Sequence, residues 1–237
     1  MFQIAEKLFY LPGKRKEILV AAPHHGYTPG SDYYTKEFAM LLASQLDAPL
    51  LYAEDLRPKV DLNKKPELAS TPQLKKLCYN YQEHALSAPV ELFLEIHGHI
   101  HGCYDLEISC GFELDPHYPL DKEFGESLAV LQTSLEQEVK AKWPGQKQGK
   151  NLFSIPRPSI GVFPFNQNVV MKATRTYLFQ EIRKLQLQGR RIFGIHIEVF
   201  KTYRTNDADS PEYTSQVALV NALAQSIIRA FKLAQSY

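Results

Sequence analysis

The sequence has little excess charge and few cysteines. Its 27 Lys and Arg residues balance 26 Asp and Glu residues, for a formal net charge of +1. It therefore lacks the field that proteins binding nucleic acids or anionic membranes usually carry. Three cysteines are too few, and odd in number, for a disulfide scaffold, and such sparse use is typical of a reducing compartment. We expect no nucleic-acid partner and no dependence on disulfides.

Long apolar runs and targeting signals are also missing. The longest apolar stretches, residues 18–23 and 90–96, are far shorter than the roughly 20 residues of a membrane helix. The first residues contain no basic segment followed by an apolar run and a cleavage site, so no signal peptide is predicted. We expect a cytoplasmic protein without a membrane partner. No internal repeat or heptad pattern is present, which excludes solenoids and coiled coils.

Short apolar segments alternate with amphipathic ones along the chain. Strands are predicted at residues 17–22, 49–53, 90–97, 104–112 and 191–200, and helices at 33–46, 74–86, 123–143, 169–187 and from Ser210 onward. Residues 54–71 are predicted to form a long polar loop. This alternation predicts an α/β fold whose mostly parallel or mixed central sheet carries helices on both faces. The length favours a single domain over residues 1–237.

Polar side chains stand at the ends of three predicted strands. His24 and His25 follow the first strand, His97 and His99 end the one at 90–97, and Glu198 lies in the last one. In open α/β sheets, ligands bind at the carboxyl ends of the strands. We therefore expect these side chains to meet at one edge of the sheet.

His24, Asp32 and His97 are a candidate metal-ligand set. Two imidazoles and one carboxylate are typical of a catalytic zinc site, which keeps a further position open. The alternative interpretation is structural, because single histidines often satisfy backbone carbonyls or turns. Both interpretations stay open on the residues alone.

Glu198 interrupts an otherwise apolar strand, and His196 lies on the same side of it. A buried carboxylate is costly unless it is paired, so one interpretation is an ion pair with Arg190, Arg191 or Arg204. The other is a general base that takes a proton from a metal-bound water.

The polar loop contains several cations, of which Arg57 and Lys64 belong to a motif described below. Arg can hold a carboxylate with two parallel hydrogen bonds or polarise a carbonyl, whereas Lys provides a point charge. Without further information, such loop cations are most often simply solvated.

Five short motifs follow one another along the chain. They are Pro23-His24-His25-Gly26 with Asp32, Arg57 with Asp61-Leu62-Asn63-Lys64, Glu95-Ile96-His97, Asp105-Leu106-Glu107-Ile108 and Ile197-Glu198-Val199. Their order and spacing resemble the N-formylglutamate amidohydrolase family, which is related in fold to zinc carboxypeptidases and aspartoacylases. The resemblance implies a phosphorylase/hydrolase-like α/β fold, one catalytic zinc ion, and hydrolysis of the amide bond of an N-acyl amino acid such as N-formylglutamate.

The resemblance also implies roles for individual residues. His24, Asp32 and His97 would hold the metal, Glu198 would act as the base, and Arg57 would polarise the scissile carbonyl. The candidate substrate-binding residues are Asn63, Lys64, Arg204 and His99. The expected partner is a small carboxylate-bearing molecule.

Two positions depart from the family pattern. Lys64 stands where the family has Arg, which replaces a planar fork by a point charge and leaves the substrate open. Aspartoacylase-like proteins place Gly directly after the ligand His, which makes His25 an alternative first ligand. Alternative functions are a carboxypeptidase-like peptidase, another N-acyl amino acid deacylase, and a non-catalytic metal-binding protein that uses His97, His99 and His101.

Overall fold

The computed structural model describes residues 1–57, 59–143 and 155–232. The strands are β1 Phe2–Ala5, β2 Leu8–Leu11, β3 Ile18–Ala22, β4 Leu50–Ala53, β5 Leu92–His99, β6 Leu106–Ser109, β7 Ile160–Phe163 and β8 Phe193–Phe200. The helices are α1 Thr35–Leu46, α2 Pro72–Ala85, α3 Pro119–Lys142, α4 Tyr177–Leu187 and α5 Pro211–Ala230. Short 3₁₀ helices span Pro66–Leu68 and Lys201–Tyr203.

The eight strands form one sheet in the order β1-β2-β4-β3-β5-β8-β6-β7. The central strands β4, β3, β5 and β8 are parallel. Strand β2 runs antiparallel to β1 and β4, and β6 runs antiparallel to β8. The predicted α/β class, with a mixed sheet and helices on both faces, is confirmed. No helix in the described ranges is long and apolar enough to cross a membrane.

The two faces of the sheet differ because side chains alternate along each strand. One face, which we call the apolar face, packs on α1, α3 and α5. The other, the mixed face, packs on α2 and α4 at the amino end of its parallel strands. At their carboxyl end it carries Glu95, His97, His99, Glu107, Ser109, His196 and Glu198, all of which are buried.

Helix α1 begins at Thr35, two residues after the predicted start at residue 33. Its N-terminal flanking residue is Tyr34, which has φ 62° and makes no side-chain capping bond. In the loop before the helix, the Asp32 carboxylate accepts a hydrogen bond at 3.3 Å from the backbone nitrogen of Gly98 in β5. The Asp32 side chain therefore contacts the carboxyl end of β5, next to His97.

The helix predicted over residues 169–187 begins only at Tyr177. Its first part is bound to β6 instead: Val170 N and Met171 N donate to Glu107 Oε2 at 2.9 and 2.8 Å, and Ser109 Oγ donates to the Lys172 carbonyl. Glu107 also accepts from the backbone of Cys103, at 2.7 Å. These hydrogen bonds to β6 take the place of the backbone hydrogen bonds of the predicted helix.

The hairpin β1–β2 was not predicted, because its strands are four residues long and β2 joins the sheet by pairing with β4, about forty residues away in sequence. The single-domain organisation and the cytoplasmic location stay predictions.

Candidate metal centre

Three of the predicted ligands converge at the carboxyl ends of neighbouring strands. His24 lies just after β3, His97 lies in β5, and these strands are paired in parallel. The chain then folds back, so that Asp32 N donates to the His24 carbonyl at 2.8 Å. This bond brings Asp32 beside both imidazoles.

The distances between the three donor atoms fit a single metal ion. His24 Nδ1 lies 3.1 Å from His97 Nδ1, and Asp32 Oδ2 lies 3.3 Å from His97 Nδ1 and 3.7 Å from His24 Nδ1. Bonds of about 2.0–2.1 Å to tetrahedral zinc require donor separations of about 3.3 Å. The three atoms therefore match three corners of a zinc site in both spacing and chemistry, and His24 and His97 are buried.

Each imidazole is held from behind by a carboxylate. Asp61 Oδ1 lies 2.8 Å from His24 Nε2, and Glu95 Oε2 lies 3.0 Å from His97 Nε2. Carboxylates in this position fix the ring orientation and the tautomer of metal-binding histidines. These contacts were not predicted from the sequence. For Glu95 a signal existed, because it stands two residues before His97 and so on the same side of β5.

Glu95 is fully buried and has further partners. Tyr81 OH donates to Glu95 Oε1 at 2.6 Å, and Asn63 Nδ2 donates to Glu95 Oε2 at 2.9 Å. Asn63 Nδ2 also lies 3.2 Å from His97 Nε2. Asn63, predicted to contact the substrate carboxylate, thus has its amide nitrogen behind His97, on the side away from Asp32.

The electrostatics of the cluster suit a cation. Burial raises the pKa of Asp32, but its hydrogen bond with His97 and the nearby His24 and Arg57 outweigh this and bring it to about 2. Burial lowers the pKa of His24 more than its bond to Asp61 raises it. Ionised carboxylates and a neutral imidazole are the forms that bind metal. His97 differs: burial lowers its pKa, yet its bonds to Asp32 and Glu95 raise it to about 10.

Glu198 lies in β8 directly opposite His97 of β5. Its side chain is buried; Oε1 is 3.6 Å from His196 Nε2, and Oε2 has no hydrogen-bond partner. Burial raises the pKa of Glu198 to about 7. In the described part of the chain it forms no direct ion pair with Arg or Lys, and Arg204 acts on it only through a longer-range charge interaction. Arg190 binds backbone carbonyls, and Arg191 binds Glu91 and Glu123.

Arg57 and Lys64 differ in their distance from the cluster. Arg57 Nη2 donates to Asp61 Oδ2 at 3.1 Å, and Arg57 Nη1 lies 3.7 Å from Asp32 Oδ1. Lys64 is exposed. Its backbone nitrogen is bonded to the Asp61 carbonyl, and its own carbonyl accepts from Gln82. The structure thus brings Arg57, but not the Lys64 amine, to the carboxylates of the cluster.

The other histidines lie outside the His24–Asp32–His97 cluster. His25 Nδ1 is 3.4 Å from Lys36 N and 3.8 Å from Glu37 Oε2, so it faces α1. His99 Nδ1 accepts from Gly102 N, and His101 is exposed. Among the described residues, no group of potential ligands contains His25, His99 or His101. A second group joins Glu95, His97 and His196, whose ring stacks on His97 at 4.4 Å between centroids.

Arg204 is a further buried side chain beside the cluster. Its guanidinium lies against Gly98, directly after His97, and Nη1 donates to the Tyr33 carbonyl. Only 7% of Arg204 is exposed, although it follows the last strand of the site by four residues.

Comparison with solved structures finds similar folds in other proteins. N-formylglutamate amidohydrolase from Ralstonia eutropha JMP134 superposes with a TM-score of 0.52 at 13% identity, over 94% of this chain and 98% of that one. A gene product from Agrobacterium tumefaciens gives 0.56 at 11% identity, over 95% of each chain. No protein-family profile and no curated protein sequence matches the chain. The likeness confirms, at the level of the fold, the resemblance that the motifs indicated.

Proposed function

We propose that this protein is a zinc-dependent amidohydrolase that cleaves the amide bond of an N-acyl amino acid. The observation that carries the proposal is the convergence of His24 Nδ1, Asp32 Oδ2 and His97 Nδ1 with the separations of zinc ligands. The shared fold with an N-formylglutamate amidohydrolase supports the choice of an amide substrate.

One zinc ion would be held by His24, Asp32 and His97, which leaves a position open for water and substrate. The chemistry that such an ion supplies is Lewis-acidic: polarisation of the amide carbonyl and acidification of a water molecule. Asp61 and Glu95 orient the two imidazoles, so that both Nδ1 atoms point to the same place.

Glu198 is the proposed general base. Its unpartnered Oε2 accepts a proton from the attacking water, and the carboxyl group then gives this proton to the leaving amine nitrogen. A pKa of about 7 suits both steps near neutral pH, because a base is most effective when its pKa lies close to the working pH. His196 stacks on His97, and its Nε2 atom lies 3.6 Å from Glu198 Oε1, so it contacts both residues.

The remaining predicted residues are assigned by their contacts. Arg57 binds Asp61 and approaches Asp32, so we propose that it holds these carboxylates; its predicted oxyanion role stays a prediction. Asn63 supports Glu95 and His97 rather than the substrate. Lys64 and His99 stay predicted substrate contacts. N-formylglutamate is one candidate substrate.

Metal analysis tests the first half of the proposal. Protein purified without added metal is expected to carry close to one equivalent of zinc, and His97→Ala is expected to lose it. The matched control His101→Ala should keep it, because His101 is exposed and outside the cluster. Less than about a tenth of an equivalent, with no binding of added zinc, would contradict the proposal. Loss of zinc in His101→Ala instead would favour the non-catalytic metal-binding protein.

A substrate panel tests the second half. N-formyl, N-acetyl and N-succinyl amino acids and short peptides are incubated with zinc-loaded protein, and the released amine is measured. Hydrolysis of an N-acyl amino acid that disappears in His97→Ala is expected. Cleavage of peptides alone would favour the peptidase, and no cleavage by the zinc-loaded protein would reject the amidohydrolase.

A further inference from the structure

Two of the three candidate metal ligands come from one segment, residues 23–34 between β3 and α1, which we call the ligand connection. His24 stands at its start and Asp32 near its end. Residues 27–30, which lie between them, form an exposed turn. Because this turn is not buried against the core, the position of Asp32 relative to His24 depends on hydrogen bonds.

Asp55, in the loop after β4, binds the ligand connection at two points. Its Oδ1 atom accepts hydrogen bonds from Tyr27 N at 2.7 Å and from Thr28 N at 3.3 Å, and it lies 3.4 Å from Thr28 Oγ1. The backbone nitrogen of Asp55 donates to the His25 carbonyl at 3.0 Å. One residue thus holds both the chain directly after the first ligand and the exposed turn that follows.

The backbone of Asp55 is adapted to this position. Its φ of 49° lies in the left-handed region, which Asp and Asn tolerate better than other residues with a Cβ atom. The hydrogen bond from Tyr27 N lowers the pKa of the Asp55 carboxyl, so the group is ionised and accepts strongly. A side chain kept on a sparsely populated backbone conformation beside a site indicates that the site needs that side chain.

Gly26 leaves room for the Asp55 carboxylate. A Cβ atom at position 26 would lie 2.4 Å from Asp55 Oδ1 and 3.0 Å from Asp55 N. Any larger residue would therefore push the carboxylate away from the turn. This contact gives the glycine of the Pro23-His24-His25-Gly26 motif a physical role that the metal ligands alone do not explain.

The same loop also reaches the ligand side chains, but through other residues. Asp61 contacts the His24 ring at 2.8 Å, and Arg57 Nη1 lies 3.7 Å from Asp32 Oδ1. Asp55 differs, because its hydrogen bonds go to the backbone and to one hydroxyl of the ligand connection. Among the described residues it belongs to no group of potential metal ligands. Any effect of Asp55 on the metal must therefore pass through the ligand connection.

We propose that Asp55 is a positioning residue of the metal centre: it fixes the ligand connection, so that the Asp32 carboxylate stands beside the two imidazoles before the metal binds. This inference rests on the zinc centre of the proposed function. A segment that is already ordered costs no further conformational entropy when the ion binds, so the affinity of the site should depend on Asp55.

Zinc affinity tests the proposal. Asp55→Gly removes the carboxylate, and glycine adopts the left-handed backbone without steric cost. We expect its affinity for zinc, measured by competition with a chelator of known affinity, to fall about 10–100-fold. Asp55→Asn keeps an acceptor oxygen and should keep most of the affinity. The matched control is Asp47→Gly at the other end of α1: Asp47 has φ 51° and pairs with Lys14, and its replacement should leave the affinity unchanged.

Two further measurements report on the ligand connection itself. With Co²⁺ in place of zinc, the visible absorption spectrum reports the ligand set, so it should change in Asp55→Gly and not in Asp55→Asn. In metal-free protein, the Tyr27 and Thr28 amides should lose protection from hydrogen exchange in Asp55→Gly. Circular dichroism and Tm show whether each variant is folded. If Asp55→Gly is not, Gly26→Ala displaces the carboxylate from the other side and should weaken zinc binding by a similar factor.

The outcomes separate this inference from the proposed function. Wild-type zinc affinity in Asp55→Gly overturns the positioning role and leaves the metal centre standing. Equal losses in Asp55→Asn and Asp55→Gly, or in Asp47→Gly, also overturn it, because the cause would then be charge or backbone entropy. A wild type that binds no zinc rejects the metal centre, and hydrogen exchange in the metal-free variants then decides whether Asp55 fixes the ligand connection.

Discussion

The two faces of the central sheet are built from the same strands but differ in the side chains they carry: one forms the packed core and the other forms the candidate site. On the apolar face, Ile96, Ile197 and Ile108 stand side by side on β5, β8 and β6. One residue further along β5 and β8, His97 and Glu198 form the corresponding row on the mixed face, ending at Glu107 of β6. A shift of a single residue along a strand therefore separates the packed core from the candidate site.

This difference suggests how the molecule reconciles stability with chemistry. Three helices seal the apolar face, and its buried aliphatic and aromatic side chains provide most of the hydrophobic stabilisation. The mixed face buries histidines and carboxylates, which cost free energy when desolvated. Substitutions on the mixed face should thus change function more than stability, and those on the apolar face should do the reverse.

The sharpest test on the mixed face is Glu198→Gln. The amide keeps the shape of the side chain but cannot accept a proton, so kcat is expected to fall by about 10²–10⁴. Zinc content should be retained, because Glu198 is not in the ligand cluster, and the Tm of the variant should not fall below that of the wild type. Steady-state kinetics, metal analysis and a thermal melt check this. Retained turnover would reject Glu198 as the base.

The matching test on the apolar face is Phe124→Ala. Phe124 is fully buried and stacks on Phe193 at 4.6 Å between ring centroids. Its truncation should lower the free energy of unfolding by about 3–5 kcal/mol, with kcat of the folded protein unchanged. Denaturant titration measures the loss. The control on the same helix is Val130→Ala, which is 46% exposed and should cost less than about 0.5 kcal/mol.

Glu95→Gln tests the support behind His97. The variant keeps a hydrogen-bonding group but loses the charge that orients the imidazole, so zinc affinity is expected to fall about 10–100-fold. Competition with a chelator of known affinity measures it. Glu91→Gln, on an exposed residue just before the same strand, should leave the affinity unchanged; an equal loss there would show that the effect is not specific to the contact with His97.

The smallest effect concerns pH. The folded-state pKa of Glu198, about 7, lies above its unfolded value, so its contribution to stability is present at low pH and is lost as pH rises through 7. In metal-free protein, Glu198→Gln should therefore gain about 1 kcal/mol or more over the wild type between pH 5 and pH 8, or about 2–4 °C in Tm. Melts at the two pH values decide; a gap that does not widen would contradict the buried carboxylate.

The sequence revealed the elements whose signals are local. Strands β3, β5 and β8 are continuous apolar runs, and the histidines and Glu198 stand at their ends, where a parallel sheet gathers them. The convergence of His24 and His97 could be predicted for this reason. The position of Asp32 could not be predicted in this way, because Asp32 follows no strand and depends on the fold-back of the chain after β3.

What escaped prediction depends on distant contacts. Asp61 reaches His24 across 37 positions of sequence, and the segment at 170–172 is bound to β6 rather than coiled into a helix. The orientation of Asn63 and the direction of His25 are likewise decided by side chains far along the chain. No local periodicity carries such information, because it reports which face is buried and not which polar atoms meet.

Glu107 has a consequence for how the protein can change. One of its oxygens accepts hydrogen bonds from the backbone N–H groups of residues 103 and 104, and the other accepts from residues 170 and 171. One carboxylate therefore holds two segments beside the site. An insertion that moves one segment would also displace the Glu107 carboxylate, which holds the other segment. Over evolutionary time, the two segments should accept substitutions as a coupled pair, with new substrate preferences arising from concerted changes on both sides.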